Sequence, residues 1–283
     1  MKKITLTLIT SLLFSGCATT KITPEARNQL NQTQIAIKSQ PIAVLVNPCL
    51  LSNELGKDRI LNQASQLSSE KFIQTLTQEL NQNGVKISEV SSPFICGSMP
   101  EEQLKKYDYQ VDQNTKRTTV NEYPFLNNKN VVMNSEQQKA ILDFYQYTAK
   151  TSEISLNNAL NKKKQLAFPI LDEKTKNTLK DWSKSNYIFV VSINGLNASV
   201  GSKFTSGALG LGVTLATMGA GAGLVSVYMP KEGQSYDVGV YDLDKKEFVW
   251  NKSSPLKGNI FSVKNHSLEA TNILDPLFES QKE

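Results

Sequence analysis

A chain of 283 residues with 31 Lys and Arg against 26 Asp and Glu has a formal charge of +5. That excess is too slight for nucleic-acid binding, which calls for a clearly basic, clustered surface. The single histidine, His266, excludes a multi-histidine metal centre and is the only residue around which a histidine-based triad could be built; alone near the start of the last helix, it reads as structural or solvated.

The first element is an export signal. Lys2 and Lys3 form a short basic region, Ile4 to Phe14 an apolar run, and Ser15 and Gly16 precede Cys17. The run is too short for a bilayer that needs roughly 20 residues, and the layout is that of a bacterial signal over residues 1–16. Phe14-Ser15-Gly16-Cys17 resembles a lipobox, the motif at which bacterial lipoprotein precursors are lipidated and cut; Phe14 stands where Leu is usual. The resemblance implies that Cys17 becomes the first residue and carries a diacylglycerol and an N-acyl chain. Several chains anchor far more firmly than one. In that family an Asp after the cysteine signals inner-membrane retention; Ala18 implies the outer membrane. Loss of Lys2 and Lys3 lowers the 31 basic residues to 29, against 26 acidic.

Residues 17–40 are polar and read as a lipidated tether, with one short helix after Pro24. A single α/β domain over 41–283 follows. Ile42 to Val46 is a near-continuous apolar run, as expected of a strand covered on both faces, and Asn47-Pro48 stops it. Ile60, Leu61, Ala64, Leu67, Phe72, Ile73, Leu76 and Leu80 keep helical spacing, and Gly84 supplies the C-terminal stop. Val85 to Val90 alternates as a second strand, completing a βαβ unit. Cys49 follows the first strand and Cys96 the second, so both fall near one sheet edge, and an even cysteine pair in an oxidising compartment invites a disulfide.

Residues 98–165 form an insertion covering the sheet, with Ser135 a candidate helix cap and Tyr145 and Tyr147 assigned to the core, a binding groove being the alternative. Lys162-Lys163-Lys164 reads as a solvated helix end. Asp172 caps a short amphipathic helix. Tyr187 to Ile193 is a central strand whose apolar phase then slips to Leu196, Ala198 and Val200. A β-bulge at Asn194-Gly195, or a tight turn there, accounts for the slip. Tyr236, Val238 and Val240, the turn Asp242 to Lys246, and Glu247 to Trp250 form a β-hairpin. A helix over about 265–279 closes the domain. The fold class is α/β: a mixed sheet with an N-terminal βαβ unit, a C-terminal β-hairpin and flanking helices.

Residues 206–229 form an apolar, Gly-rich segment without charge. As a helix it would be about 36 Å long, enough to cross a bilayer. Ala208, Gly212, Ala216 and Ala220 would then share one face at small-xxx-small spacing. Each interior Gly costs a helix roughly 1 kcal/mol relative to Ala. Three readings stay open: a connection between strands, a membrane contact, or a homo-oligomer seam.

The tether, the opening "IAVLVNP" and the close "YDVGVYDLDKKEFVWN" together resemble the outer-membrane lipoproteins with a TolB-N-terminal-like domain. That group includes the curli secretion lipoprotein and the activators of penicillin-binding proteins; their hairpins often end in Val-Trp, matched by Val249-Trp250. The resemblance covers about 41–95 and 187–279. It implies a non-enzymatic accessory protein, facing the periplasm, that binds another envelope component. No catalytic residue, metal ligand or cofactor site emerges. Gly219, Gly221 and Gly223 lack the GxGxxG spacing, and Gly207 to Gly212 has no following Lys-Ser/Thr. Asp242 and Asp244 alternate in a turn, where Asp serves local hydrogen bonding. The alternatives are a subunit of an oligomeric pore or secretion assembly using the Gly-rich segment, and a periplasmic hydrolase using carboxylate pairs.

Overall fold

The computed structural model describes residues 24–54, 57–110, 118–119, 133–160, 166–198, 233–256 and 263–278. The fold is α/β. Helix α1 (Pro24–Ser39) leads into the long strand β1 (Ile42–Glu54). Strand β2 (Lys57–Leu61), helix α2 (Asn62–Gln82) and strand β3 (Ile87–Ser91) follow. Next come α3 (Glu101–Leu104), the short β4 (Asp108–Gln110) and β5 (Thr118–Thr119), and helices α4 (Ser135–Leu160) and α5 (Glu173–Ser183). Strands β6 (Tyr187–Ala198), β7 (Gly233–Asp242) and β8 (Glu247–Leu256) and helix α6 (Val263–Phe278) complete the chain.

Among the described residues, the strand order is β5-β4-β2-β1-β6-β7-β8, with β3 beside the first half of β1. β3, β1 and β6 run parallel, and β7 and β8 return antiparallel. The βαβ unit and the C-terminal hairpin are therefore present. Helices α1, α2 and α6 cover one face over Val44, Val46, Phe189, Val191, Val238 and Val240. Helices α4 and α5 cover the other over Leu45, Ile188, Val190, Tyr241 and Phe248. Both faces of β1 and β6 are buried, which explains their unbroken apolar runs.

Several expectations are corrected. Pro48 does not end β1. Its carbonyl accepts from Cys96 N (2.9 Å), on the side where β1 has no strand partner between Leu45 and Leu51. In a strand the N–H and C=O of one residue point the same way, so the donor that proline lacks would face that gap, not β6. Neither a bulge nor a turn lies at Asn194-Gly195. β6 keeps register with β1 (Asn194 opposite Cys49) and with β7 (Asn194 opposite Ser235). The phase slip has another cause: both faces are covered as far as Ile193, so either parity is apolar there. The irregularity occurs in the hairpin instead, where Val240 pairs with Trp250 but Tyr241 with Phe248. The extra residue, Val249, lets both Val249 and Trp250 pack toward the α2 face.

Residues 24–39 belong to the domain and not to a spacer. Leu30, Thr33, Gln34 and Ile37 are buried. Thr33 Oγ1 donates to the carbonyl of Val249 (3.2 Å), the extra residue, and Gln34 Nε2 to that of Leu277. The polarity that suggests a tether is the exposed side of an amphipathic helix. In α2, Leu67 is 52% exposed, while Ser65, Ser68 and Ser69 face inward and bring the helix close. Gly84 ends that region at φ +81°, as a left-handed stop requires. The cap of α4 is Asn134, not Ser135: its Oδ1 accepts from Gln137 N (2.8 Å), and Gln137 Oε1 accepts from Asn134 N (3.2 Å). Asp172 caps α5 as expected, accepting from Thr175 N (2.9 Å).

Candidate functional site

The parallel strands carry a polar cluster where their apolar runs stop. Asn47 on β1 is fully buried. Its Oδ1 accepts from Gly97 N (2.8 Å) and its Nδ2 donates to Ser98 Oγ (2.7 Å). The amide thus replaces strand pairing in the gap between β3 and β2, holding the 96–98 turn against β1. Cys49 and Cys96 lie beside it at disulfide distance, Cα atoms 4.5 Å apart. Cys96 has φ 55°, a left-handed backbone uncommon for a residue with a side chain. Gly97 fits by having none: a Cβ there would lie 2.9 Å from Tyr145 Cδ2. Tyr145, from α4, donates its hydroxyl to the carbonyl of Val46 (3.0 Å), and burial pushes its phenol pKa up.

One row along, Asn194 sits opposite Cys49, and Asn194 Nδ2 donates to Asp237 Oδ2 (3.1 Å) on β7. Asn194 and Asp237 are both buried. The set consists of amides, hydroxyls and one carboxylate. The hydrogen bonds of Asn47 and Asn194 tie neighbouring strands and a turn together, which is chemistry of positioning. Among the described residues, no group of three or more His, Cys, Asp or Glu could hold a metal ion.

The aromatic end of the same face is tied down by α5 and the hairpin turn. Tyr241 Oη donates to Tyr147 Oη (3.2 Å), which donates to the carbonyl of Lys246 (3.3 Å). Burial, then the bond to Tyr147, raises the Tyr241 pKa. Asp242 Oδ1 accepts from Asp244 N (2.9 Å) and Lys245 N (3.0 Å), the local bonding expected of that turn. Glu173 is held down to about 2, first by its bond to Lys176 and then by Lys246.

A second feature is apolar and exposed. Leu166, Phe168 and Ile170 stand at alternate positions of a segment outside any helix or strand and are 39%, 45% and 83% exposed. Asn158 pins its start, donating Nδ2 to the carbonyl of Leu166 (2.9 Å) and accepting at Oδ1 from Leu166 N (2.6 Å). The row ends at Leu171, which is buried under α5.

Of the residues singled out from sequence, the structure brings Cys49 and Cys96 together. Cys17, Lys162 to Lys164 and the Gly-rich segment with Ala208, Gly212, Ala216 and Ala220 lie outside the described residues. That segment leaves β6 at Ala198 and re-enters at Gly233, which pairs with Leu196. His266 is on α6. No helix among the described residues is long and apolar enough to cross a membrane. Asn47, Asn194, Asp237 and Gly97 escape a linear reading. The signal for two of them was present: Asn47 and Asn194 each interrupt an apolar run in strands that turn out to be neighbours. No protein-family model, curated protein or solved structure matches this chain.

Proposed function

We propose that this chain is a lipid-anchored outer-membrane protein, facing the periplasm, whose α/β domain is a non-enzymatic accessory module for another envelope protein. The observation that carries the binding role is the row Leu166, Phe168 and Ile170. Three large apolar side chains exposed within five residues of a segment pinned at Leu166 give a partner a ready contact, whereas apolar residues exposed singly need no explanation. The envelope address is supported by the export-signal layout before Cys17 and by a cysteine pair at disulfide distance, which suits an oxidising compartment. The likeness to lipoproteins with a TolB-N-terminal-like domain belongs to the same proposal. A photo-cross-linker at Ile170 in intact cells tests the binding role. A discrete adduct is expected that is lost in Phe168→Glu and does not form from Lys245. Adducts of equal yield from both positions would refute the assignment.

A second reading, a subunit of an oligomeric pore or secretion assembly, is favoured by the pairing of Leu196 with Gly233. The strand ends that flank residues 199–232 thereby lie side by side at one end of the sheet. Liposome leakage and the size of the detergent-extracted protein separate the two readings.

A further inference from the structure

We infer that the end of the domain toward which the start of α1 points, where β1 and β6 finish, lies against the lipid headgroups of the membrane that Cys17 enters. The inference rests on the proposed lipidation and goes further, fixing which pole of the molecule meets the bilayer and how closely.

The first step is the docking of α1. Were residues 17–40 a free tether, the domain would be hung by a chain reaching about 85 Å from Cys17 to Ile42, and any pole could face the lipid. Instead the chain is held from Pro24 onward. Leu30 and Ile37 are buried in the core under β8 and α6. Thr33 and Gln34 bond to the carbonyls of Val249 and Leu277, and the Lys38 ammonium sits 5.6 Å from the Phe278 ring centroid. Only seven residue steps separate Cys17 from Pro24, so the reach is at most about 25 Å.

The second step is the direction of α1. Its last residue, Ser39, lies three positions before the start of β1. Its middle, Thr33, meets Val249, adjacent to Trp250. Trp250 pairs with Val240, Val240 with Phe189 and Phe189 with Val44. Thr33 is thus level with the beginning of β1. From there the helix runs nine residues back to Pro24, about 14 Å, toward the finishing ends of β1 and β6. At about 3.3 Å per strand residue this brings Pro24 level with the middle of β1. The anchored terminus leaves it heading for that pole, roughly 20 Å further on and within the reach of the chain to Cys17. The β7–β8 turn at Asp242 to Lys246 lies at the opposite pole, since Asp242 pairs with Tyr187, the first residue of β6. Ala198 and Gly233, the strand ends that flank residues 199–232, also lie at the anchored pole.

The test uses the mature acylated protein in phosphatidylethanolamine–phosphatidylglycerol vesicles containing a nitroxide-headgroup lipid as quencher. A fluorophore is placed at Asn28→Cys or at Lys245→Cys, both exposed positions, and labelled without reductant. Quenching several-fold stronger at position 28 than at 245 is expected. A ten-residue Gly-Ser spacer inserted between Thr23 and Pro24 leaves the fold intact and should remove most of that quenching and the difference. Equal quenching at both sites, stronger quenching at 245, or quenching unmoved by the spacer overturns the inference. Failure of the lipoprotein reading looks different: no acyl mass on Cys17 and no flotation with the vesicles.

Discussion

The two faces of the sheet are built by different means. Under α1, α2 and α6 the contact is largely aliphatic, with Phe72 stacked on Tyr236 (centroids 4.6 Å) as its main ring pair. Under α4 and α5 the aromatic cluster of Phe144, Tyr147, Tyr241 and Phe248 carries hydroxyls, and beside it Asn47, Asn194 and Asp237 supply amides and a carboxylate. The first face is held by area removed from water, which is roughly additive and tolerant of shape-conserving change. The second adds to its own buried apolar cluster a set of directional bonds whose partners, once orphaned in the interior, are costly. The comparison teaches where to look for function: the aliphatic face secures the fold, and the polar face positions particular loops.

Mutations can break that contrast or sharpen it. The largest effect should come from the aliphatic face. Phe72→Ala removes a fully buried ring and its stacking on Tyr236, and should cost about 3–5 kcal/mol in urea unfolding. By contrast, Leu76→Met there should cost less than about 1.5 kcal/mol. A small loss for Phe72→Ala would show that the face repacks freely, contrary to the close packing described.

Next comes the cysteine pair. Its sequence separation of 47 residues places the expected loss for Cys49→Ala with Cys96→Ala at about 2–4 kcal/mol. In exported protein, denatured without reductant, neither cysteine should take a thiol label. Labelling of both would disprove the bond.

A sharper contrast is expected at Asn47. Asn47→Ala strands the Gly97 N–H in the interior and should cost about 1–3 kcal/mol, although the residue contributes little apolar area. Asn47→Leu, which adds apolar volume, should be no better. If it restores stability, the polar face is held by burial after all. Gly97→Ala should destabilise as well, because its Cβ would press on the Tyr145 ring.

The smallest effects are those of pH. Burial raises the phenol pKa of Tyr145 and Tyr241 above the ordinary 10, so the native state keeps protons that the unfolded chain releases. That stability is complete below pH 10 and declines as pH rises beyond it. Replacing both by Phe should flatten the alkaline decline while costing about 1 kcal/mol per lost hydrogen bond at neutral pH. On the acid side, the bond from Thr175 lowers the Asp172 pKa from its ordinary 3.8, so its contribution is present above that pH and is lost as pH falls. Asp172→Ala should cost about 1 kcal/mol at pH 7 and progressively less below pH 4, measured by thermal unfolding. A difference that stays constant with pH would remove the charge from this account.

Much of the fold was legible along the chain because its signals are local. Ile42 to Val46 reads as a buried strand from its own composition, Phe72, Leu76 and Leu80 as a helix face from their spacing, and Asp172 as a cap from its position. The pairing of Val85 to Val90 with β1 follows from the handedness and length of one crossover. These depend on neighbours in sequence, so sequence alone determined them. What tertiary structure decided depends on neighbours in space. Pro48 lies within a strand because its missing donor would face a gap between β3 and β2, and α1 joins the core because Leu30 and Ile37 are buried against β8 and α6. Asn47, Gly97 and Tyr145, far apart in the chain, meet only once β1, the 96–98 turn and α4 are assembled. A hydrogen bond or a steric fit between such residues leaves no periodic trace in any one segment, because its geometry is set by packing between segments and not by the period of either.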